Sequence, residues 1–251
     1  FCLSRGLGDV YKRQDYHIET VQVLDAFKED CECPLCLIRQ KLDSDFTDTY
    51  LGGAAMSPDY RLEVNKLGFC ARHFKLLYDG GKRLPLALQI HTHLLEHNKK
   101  NTARLEALAK SAQKPQKLAA QINQYINFQQ EQEHSCVICK KQEELMQRYM
   151  DTALSLWEKS IEFKELLQKG KGFCEPHFSQ IIQRAQACLS AKERSRFIQE
   201  LAGIQIKSLE RLAGEVEWFT KKFDYQNKDK PWGTAQDSIP RSINKLKGKI
   251  I

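Results

Sequence analysis

The sequence lacks the features that mark membrane-spanning, secreted or β-rich proteins. No apolar run approaches 18 residues, so we expect no transmembrane helix. No charged start is followed by an apolar stretch, so no signal peptide is visible. Strand-like alternation is scarce between Val21 and Phe223, where nearly every segment has the periodicity of a helix. These absences predict an all-α protein of the cytoplasm.

Common catalytic signatures are missing as well. The sequence contains no Gly-rich phosphate-binding loop, no nucleophile elbow and no H-E-x-x-H motif. We therefore expect no catalysis from the recognisable motif classes. At 251 residues the chain is nevertheless long enough for a sizeable core, as one large domain or two small ones.

The body of the chain lacks a net positive charge, although the net charge of the whole chain is +7. Residues 1–14 contain three basic and one acidic side chain, and residues 221–251 contain eight basic and three acidic ones. Residues 15–220 hold 28 of each sign and are neutral. A nucleic-acid partner is therefore expected only through the basic tail, and an unidentified protein is the favoured partner.

The first fourteen residues, FCLSRGLGDVYKRQ, look foreign to the rest. They resemble translated adapter sequence, and we interpret residues 1–14, including Cys2, as a non-native leader. The alternative is a genuine disordered N-terminus. The rest divides at Lys114–Pro115 into a first helical half, 15–114, and a second, 115–223, followed by an extended basic tail, 224–251.

One pattern is written twice in the chain. GFCARHF at 68–74 returns as GFCEPHF at 172–178, and each copy follows a C-x-x-C motif. The spacers from C-x-x-C to the next cysteine are 33 and 34 residues long, and the two patterns are offset by 103 to 104 residues. Such self-similarity indicates an internal repeat, with two related halves.

The repeated residues are those of a metal site. Paired cysteines two residues apart can direct both sulfurs at one point, and a Cys and a His three apart share a face at a helix start. Each half thus carries a Cys3His set, which is typical of closed structural zinc sites. We expect two zinc ions per chain, bound by these residues: Cys33, Cys36, Cys70 and His73 in the first half, and Cys136, Cys139, Cys174 and His177 in the second. An iron–sulfur cluster and a thiol redox pair are the alternatives.

Spacing does not decide which motifs share an ion. The repeat favours pairing within each half, because an ancestral single unit had to satisfy its own metal. Crossed pairing, with Cys33 and Cys36 joining Cys174 and His177, is the rival, since fusion of a swapped dimer would produce it. We predict pairing within halves.

Several other residues are weaker candidates. Cys31 and its counterpart His134 are either exchanging ligands or simply neighbours of the sites. His93 and His97 are interpreted as solvated surface residues rather than a metal pair. His91 is placed on the apolar stripe of its helix, with Leu84, Leu88, Leu95, Thr102 and Leu105.

Three further expectations concern cysteine burial, charge and the tail. Cys188 is expected to be buried as a small hydrophobe. Arg72, Lys140 and Lys141 are expected to offset the charge of the zinc–thiolate sites. Trp232 is expected to dock on the body, because an isolated Trp is costly to expose.

Five segments together resemble an uncharacterised bacterial family, catalogued as domain of unknown function 6062. They are YHIETVQVLDAFKEDCECPLC (16–36), NKLGFCARHF (65–74), LALQIHTHL (86–94), KGFCEPHF (171–178) and KKFDYQNKDKPWG (221–233). The likeness spans nearly all of 15–251, and it carries over no activity.

The leading hypothesis is a zinc-stabilised helical binding or scaffold protein. A zinc–thiolate redox sensor, in which oxidation of Cys31 or Cys36 ejects metal, is the alternative. A metal-dependent enzyme would need an open coordination position that this ligand set does not provide.

Overall fold

The computed structural model of the protein describes residues 18–248, within which there are eleven α-helices and no β-strand. The expected leader at 1–14 and the last three residues of the tail lie outside the described residues. The all-α prediction is confirmed. The helices are α1 (Ile18–Lys28), α2 (Pro34–Tyr50), α3 (Pro58–Leu67), α4 (Ala71–Asp79), α5 (Arg83–Ser111), α6 (Pro115–Glu133), α7 (Val137–Lys159), α8 (Ile161–Lys169), α9 (Glu175–Cys188), α10 (Ala191–Lys221) and α11 (Ser238–Lys247).

The chain forms two compact units, and they do not follow the two halves of the repeat. The second unit is the continuous segment Lys41–Glu144, and the first contains residues 18–40 together with 145–248. Lys114–Pro115, where we expected a boundary, is instead the turn between α5 and α6. These two helices pack on each other within the second unit. Each unit therefore combines one C-x-x-C motif from one half with the GFC-x-x-H motif of the other.

The first unit is built around aromatic side chains of α1, α7, α8 and α10. Phe27 packs on Phe163 and Phe173, with ring centroids 4.7 and 6.0 Å apart. Trp157 packs edge-on against Phe197 at 5.1 Å, and both are buried. The Ser190 hydroxyl accepts from the Glu193 amide and so caps the start of the 31-residue helix α10.

The second unit has its core between α2, α3, α4, α5 and the start of α7. Tyr50 contacts Tyr60 and Phe69 edge-on, at 5.7 and 5.4 Å. Phe69, the aromatic residue of the first GFC motif, also contacts Phe74 at 5.4 Å. Val64, Leu77 and Leu86 complete this buried cluster.

The prediction that the apolar stripe of α5 packs against the core is wrong, because this face of the helix is turned to solvent. Leu84 and Leu95 are 66% and 51% exposed, and His91 is exposed too. The buried face instead carries Leu86 and Gln89. Gln89 is polar, but its amide donates to the carbonyls of Tyr50 and Pro85, at 2.7 and 3.1 Å, so its burial is satisfied.

The tail is folded rather than extended. Lys222 at its start is buried, and its ammonium group donates to three carbonyls, those of Asn227, Lys228 and Lys230. Trp232 docks on Phe219 of α10, with ring centroids 5.4 Å apart, as expected. Ser238–Lys247 then forms α11, which packs on α9 and α10. The prediction of an extended tail is therefore wrong for both segments. The first is a loop whose carbonyls bond to Lys222, and the second is a helix packed on the body of the unit.

Candidate metal centres

Four donor side chains converge at one point in each unit. The first cluster, in the first unit, consists of Cys33, Cys36, Cys174 and His177. The second cluster, in the second unit, consists of Cys70, His73, Cys136 and Cys139. Within each cluster all ligand atoms lie within 4.8 Å of one another, and the described residues contain no other such group of three or more. Each cluster could hold one metal ion.

Distances within the first cluster fit a single tetrahedral ion. Cys174 Sγ lies 3.8 Å from Cys33 Sγ and 3.6 Å from Cys36 Sγ. The Nδ1 atom of His177 lies 3.2 to 3.4 Å from all three sulfurs. A tetrahedral ion with metal–sulfur bonds of about 2.3 Å separates its sulfur ligands by about 3.8 Å. A disulfide would need a separation near 2.05 Å, so these thiols are free.

The second cluster has the same geometry. His73 Nδ1 lies 3.3 Å from each of the sulfurs of Cys70, Cys136 and Cys139. Cys70 Sγ and Cys139 Sγ are 3.7 Å apart. Both histidines thus present Nδ1 to the cluster. The two clusters are the Cys3His sets that the sequence predicted in number and composition.

Helix starts position every ligand pair. The C-x-x-C motifs open α2 and α7, and the amide of Cys139 approaches Cys136 Sγ at 3.4 Å. Cys70 and Cys174 are the N-caps of α4 and α9, and the ligating histidines follow in the first turn. Amides and the dipole at a helix N-terminus stabilise thiolate, so the local structure prepares these cysteines to bind a cation.

The repeated glycine of the GFC motif has a conformational role. Gly68 and Gly172 adopt φ values of +64° and +74°, which an L side chain rarely takes. A Cβ atom at Gly68 would come within 2.7 Å of His93, and one at Gly172 within 2.5 Å of the Gln205 side chain. Gln205 in turn bonds both the amide and the carbonyl of Phe173, at 3.1 and 2.9 Å. The glycine thus lets the chain turn sharply before the ligand cysteine.

The predicted pairing within halves is wrong, since each cluster combines motifs from both halves. The cost of closing a loop grows only logarithmically with its length, so packing decides the pairing. In the second unit the Val137 amide donates to the Gly68 carbonyl at 3.0 Å, which joins the start of α7 to the first GFC motif. In the first unit Phe27 packs on Phe173, beside the second GFC motif.

The donor groups of each cluster shift one another's pKa values. Burial alone would lower the pKa of His73, but hydrogen bonds with Asp43 and Cys136 raise it to about 9. Burial would likewise lower the pKa of His177. Hydrogen bonds with Cys174 and Cys36 outweigh this effect and raise that pKa to about 9. A hydrogen bond from Cys139 holds the pKa of Cys136 at about 3. A cation that bound the second cluster would meet the Cys136 thiolate and would displace the proton of His73.

The histidine of the second cluster has a carboxylate partner that the sequence did not reveal. His73 Nε2 lies 3.1 Å from Asp43 Oδ1, and Gln142 and Arg72 also donate to this carboxylate. A carboxylate behind a ligating histidine fixes the ring and its tautomer. Asp43 lies ten residues after Cys33 on α2, and no spacing rule links it to His73, so only the folded chain identifies it.

The other sequence candidates fall outside both clusters. Cys31 is half-buried, and burial raises its pKa to about 11. His134 is exposed at the end of α6. Neither belongs to a group of donors. Cys188, expected to be buried, is exposed, because its sulfur turns to the polar groups of Asp151 and Arg184.

His93 and His97 are neither a metal pair nor fully solvated. His93 lies 3.1 Å from the carbonyl of Asn65, and His97 stacks on Phe128 with ring centroids 6.0 Å apart. The expected charge compensation also differs. Arg72 pairs with Asp43, and Lys141 pairs with Glu63 at 2.6 Å, so both cations already have carboxylate partners.

These features define a helical protein with two separate Cys3His clusters. The family model described as a family of unknown function, DUF6062, matches residues 14–251, and the chain belongs to this family. Searches of curated proteins and of solved structures gave no match. None of the helices in residues 18–248 combines the length and apolar composition that a membrane span needs.

Proposed function

We propose that the protein is a zinc-stabilised helical scaffold that binds another protein, with one zinc ion in each cluster. The carrying observation is that three sulfurs and one imidazole nitrogen meet in each unit at tetrahedral separations. Zinc favours such thiolate–imidazole shells, and four protein ligands close the site. A closed shell leaves no position for water or substrate, so the proposed role of zinc is structural.

The alternatives for the metal differ in what the clusters would have to accommodate. An iron–sulfur cluster places several irons and sulfides between its ligands, whereas all donors here lie within 4.8 Å of one another. That spacing suits a single ion. A location in the cytoplasm, where thiols stay reduced, suits eight uncrosslinked cysteines in the described residues.

Metal analysis of protein purified without added metal tests the proposal. We expect about two zinc ions per chain by elemental analysis. Mainly iron with visible absorbance, or no bound metal, would reject it. Two zinc ions together with a solvent-derived fourth ligand, seen by X-ray absorption spectroscopy, would favour the metal-dependent enzyme instead.

A zinc–thiolate redox sensor is the second candidate, and partial exposure of the second cluster favours it. Cys70 and Cys139 are half-buried. Of the two cysteines at which the sequence placed the sensor, Cys36 is only 8% exposed, and Cys31 is half-buried but belongs to neither cluster. Oxidants reach accessible thiolates first. In this alternative, the second cluster is the one that oxidants reach first. Reversible loss of one zinc ion at low peroxide, with recovery by thiol reductant, is the expected signature.

A nucleic-acid partner through the tail receives less support than a protein partner. Two of the eight basic residues of 221–251, Lys222 and Lys245, are buried. Arg241 forms ion pairs with three carboxylates, those of Glu32, Glu215 and Asp237. These three cations of the tail are therefore already engaged within the fold.

A further inference from the structure

Helix α11 packs with its polar side inward. Ser238 and Lys245 are fully buried. The apolar residues Ile239, Ile243 and Leu246 form a row beside this face and are 41%, 37% and 55% exposed. Burial of apolar area normally holds an amphipathic helix in place. For α11 this burial is only partial, so polar interactions contribute to holding the helix against α9 and α10.

Ion pairs supply that interaction. Arg241 on α11 lies 3.1 Å from Glu32 and 2.7 Å from Glu215. Arg211 on α10 contacts the same two carboxylates at 2.7 and 3.1 Å. Glu32 directly precedes the ligand Cys33. The network therefore joins the C-terminal helix to the segment that carries half of the first cluster.

Lys245 extends this network toward the metal centre. Its ammonium group donates to the carbonyl of Glu32 at 3.2 Å and to that of Lys171, and it lies 3.9 Å from the Glu32 carboxylate. Burial lowers the pKa of Lys245, while the negative charges of Glu32, Cys33 and Cys174 act in the opposite direction. Lys171 and Glu32 lie on the two segments that bring their cysteines to the cluster.

The end of α11 also lies directly against a ligand. A Cβ atom at Gly248 would stand 4.0 Å from Cys174 Sγ. Cys174 is fully buried, and Cys33 is 5% exposed. Gly248, which follows the last turn of α11, thus lies beside a sulfur of the first cluster, and these two cysteines are shielded from solvent.

Charge explains why a polar face is buried here. The carboxylates of Glu32, Glu215 and Asp237 balance Arg211, Arg241 and Lys245, and Lys245 is the cation of this network that is fully buried beside the cluster. Three thiolates and a divalent ion carry a net charge of −1. Buried Lys245 and a metal-bound first cluster therefore stabilise each other, because they carry opposite charges in an interior that solvates charge poorly.

We propose that α11 is a lid on the first metal centre, held by the charge of Lys245, and that it makes the metal there slow to exchange. The proposal rests on metal binding at the first cluster. Its consequence is a chain with one protected ion and one exchangeable ion, since Cys70 and Cys139 of the second cluster are half-exposed.

The test is transfer of zinc from the full-length protein to an excess of the chromogenic chelator 4-(2-pyridylazo)resorcinol. We expect two phases of one zinc ion each, the slow one from the first cluster. Lys245→Met should accelerate the slow phase by about tenfold or more and leave the fast phase unchanged. Lys247→Met is the matched control, because Lys247 is an exposed lysine on the same helix, and it should change neither phase.

Hydrogen exchange separates a lid from general loss of structure. In Lys245→Met the amides of α11 should lose protection, while those of α9 keep theirs. If α9 loses protection as well, the substitution unfolds the unit and the lid is rejected. An unchanged slow phase with two bound zinc ions overturns the lid but leaves the proposed function intact. A protein with no bound zinc rejects the proposed function itself.

Discussion

The two clusters have the same four ligand types at nearly the same separations, and their surroundings differ. In the first cluster all four donors are buried, and Gly248 at the end of α11 lies close to Cys174. In the second cluster only His73 and Cys136 are buried, and the carboxylate of Asp43 supports the histidine. One repeated motif thus yields a protected centre and an accessible one. The difference shows that the surrounding segments, rather than the four donor types, set how exposed each cluster is.

Ligand loss should give the largest contrast between the clusters. Cys174→Ser should lower the free energy of unfolding by more than about 3 kcal/mol, roughly 6 to 12 °C in melting temperature, because a buried ion loses a ligand that water cannot easily replace. Cys70→Ser should cost less, because Cys70 is half-exposed. Thermal unfolding followed by circular dichroism measures both.

Cys188→Ser is the control for these variants, because Cys188 is exposed and belongs to neither cluster. It should change the unfolding free energy by no more than about 0.5 kcal/mol. If Cys70→Ser has the same small effect as this control, Cys70 is a packed thiol rather than a ligand.

Oxidation should separate the clusters next. At low hydrogen peroxide, the zinc of the second cluster should be released at least about ten times faster than that of the first, since its thiolates are accessible. Mass spectrometry of blocked peptides should find Cys70 or Cys139 modified before Cys33 or Cys174. Equal rates at both clusters would remove the distinction between protected and accessible centres.

The carboxylate behind His73 should tune only the second cluster. Asp43→Asn should weaken zinc binding there by roughly 10- to 100-fold, because the histidine loses the partner that orients it. The first cluster should bind as before. Competition titration with a chelator of known affinity resolves the two sites. Asp151→Asn, in a half-exposed pair with Arg184, is the control and should affect neither.

The pH dependence should show the smallest difference. Both ligating histidines have a pKa of about 9 in the metal-free fold, above the ordinary value of 6.5, so zinc must displace their protons below that pH. Apparent affinity should therefore fall with falling pH, by about tenfold per unit for each proton displaced. In the metal-free protein the sign is reversed, because protonated histidine stabilises the fold at low pH and this contribution is lost as pH rises through 9. Titrations at pH 6 and 8 should shift both clusters alike, and a shift in one alone would contradict the similar pKa values.

The sequence was sufficient for the fold class and for the eight residues that form the two Cys/His clusters. Helical periodicity is a local property, and the ligand motifs are written in short stretches that repeat. The pairing of the ligands was not predictable in the same way, since it depends on packing between segments far apart in sequence. The Val137–Gly68 hydrogen bond and the contact of Phe27 with Phe173 leave no local signature.

Two errors share a physical cause, which is that polar side chains can be buried when their partners are supplied. Apolar spacing selected the outer face of α5, because the buried face includes Gln89, which two backbone carbonyls satisfy. Lysine content likewise suggested an extended tail, whereas Lys222 and Lys245 are buried and bonded to carbonyl oxygens. Hydropathy alone cannot identify such positions, because the compensating groups lie on other segments.

Crossed pairing of the ligands is tested most directly by cadmium-113 NMR of the full chain with cadmium in place of zinc. Two resonances are expected, one for each cluster. Cys36→Ser and Cys174→Ser should both shift or remove the same resonance, and Cys70→Ser and Cys139→Ser should both act on the other. If Cys36→Ser and Cys70→Ser instead act on one resonance, the ligands pair within the halves of the repeat and the two clusters described here do not exist in solution.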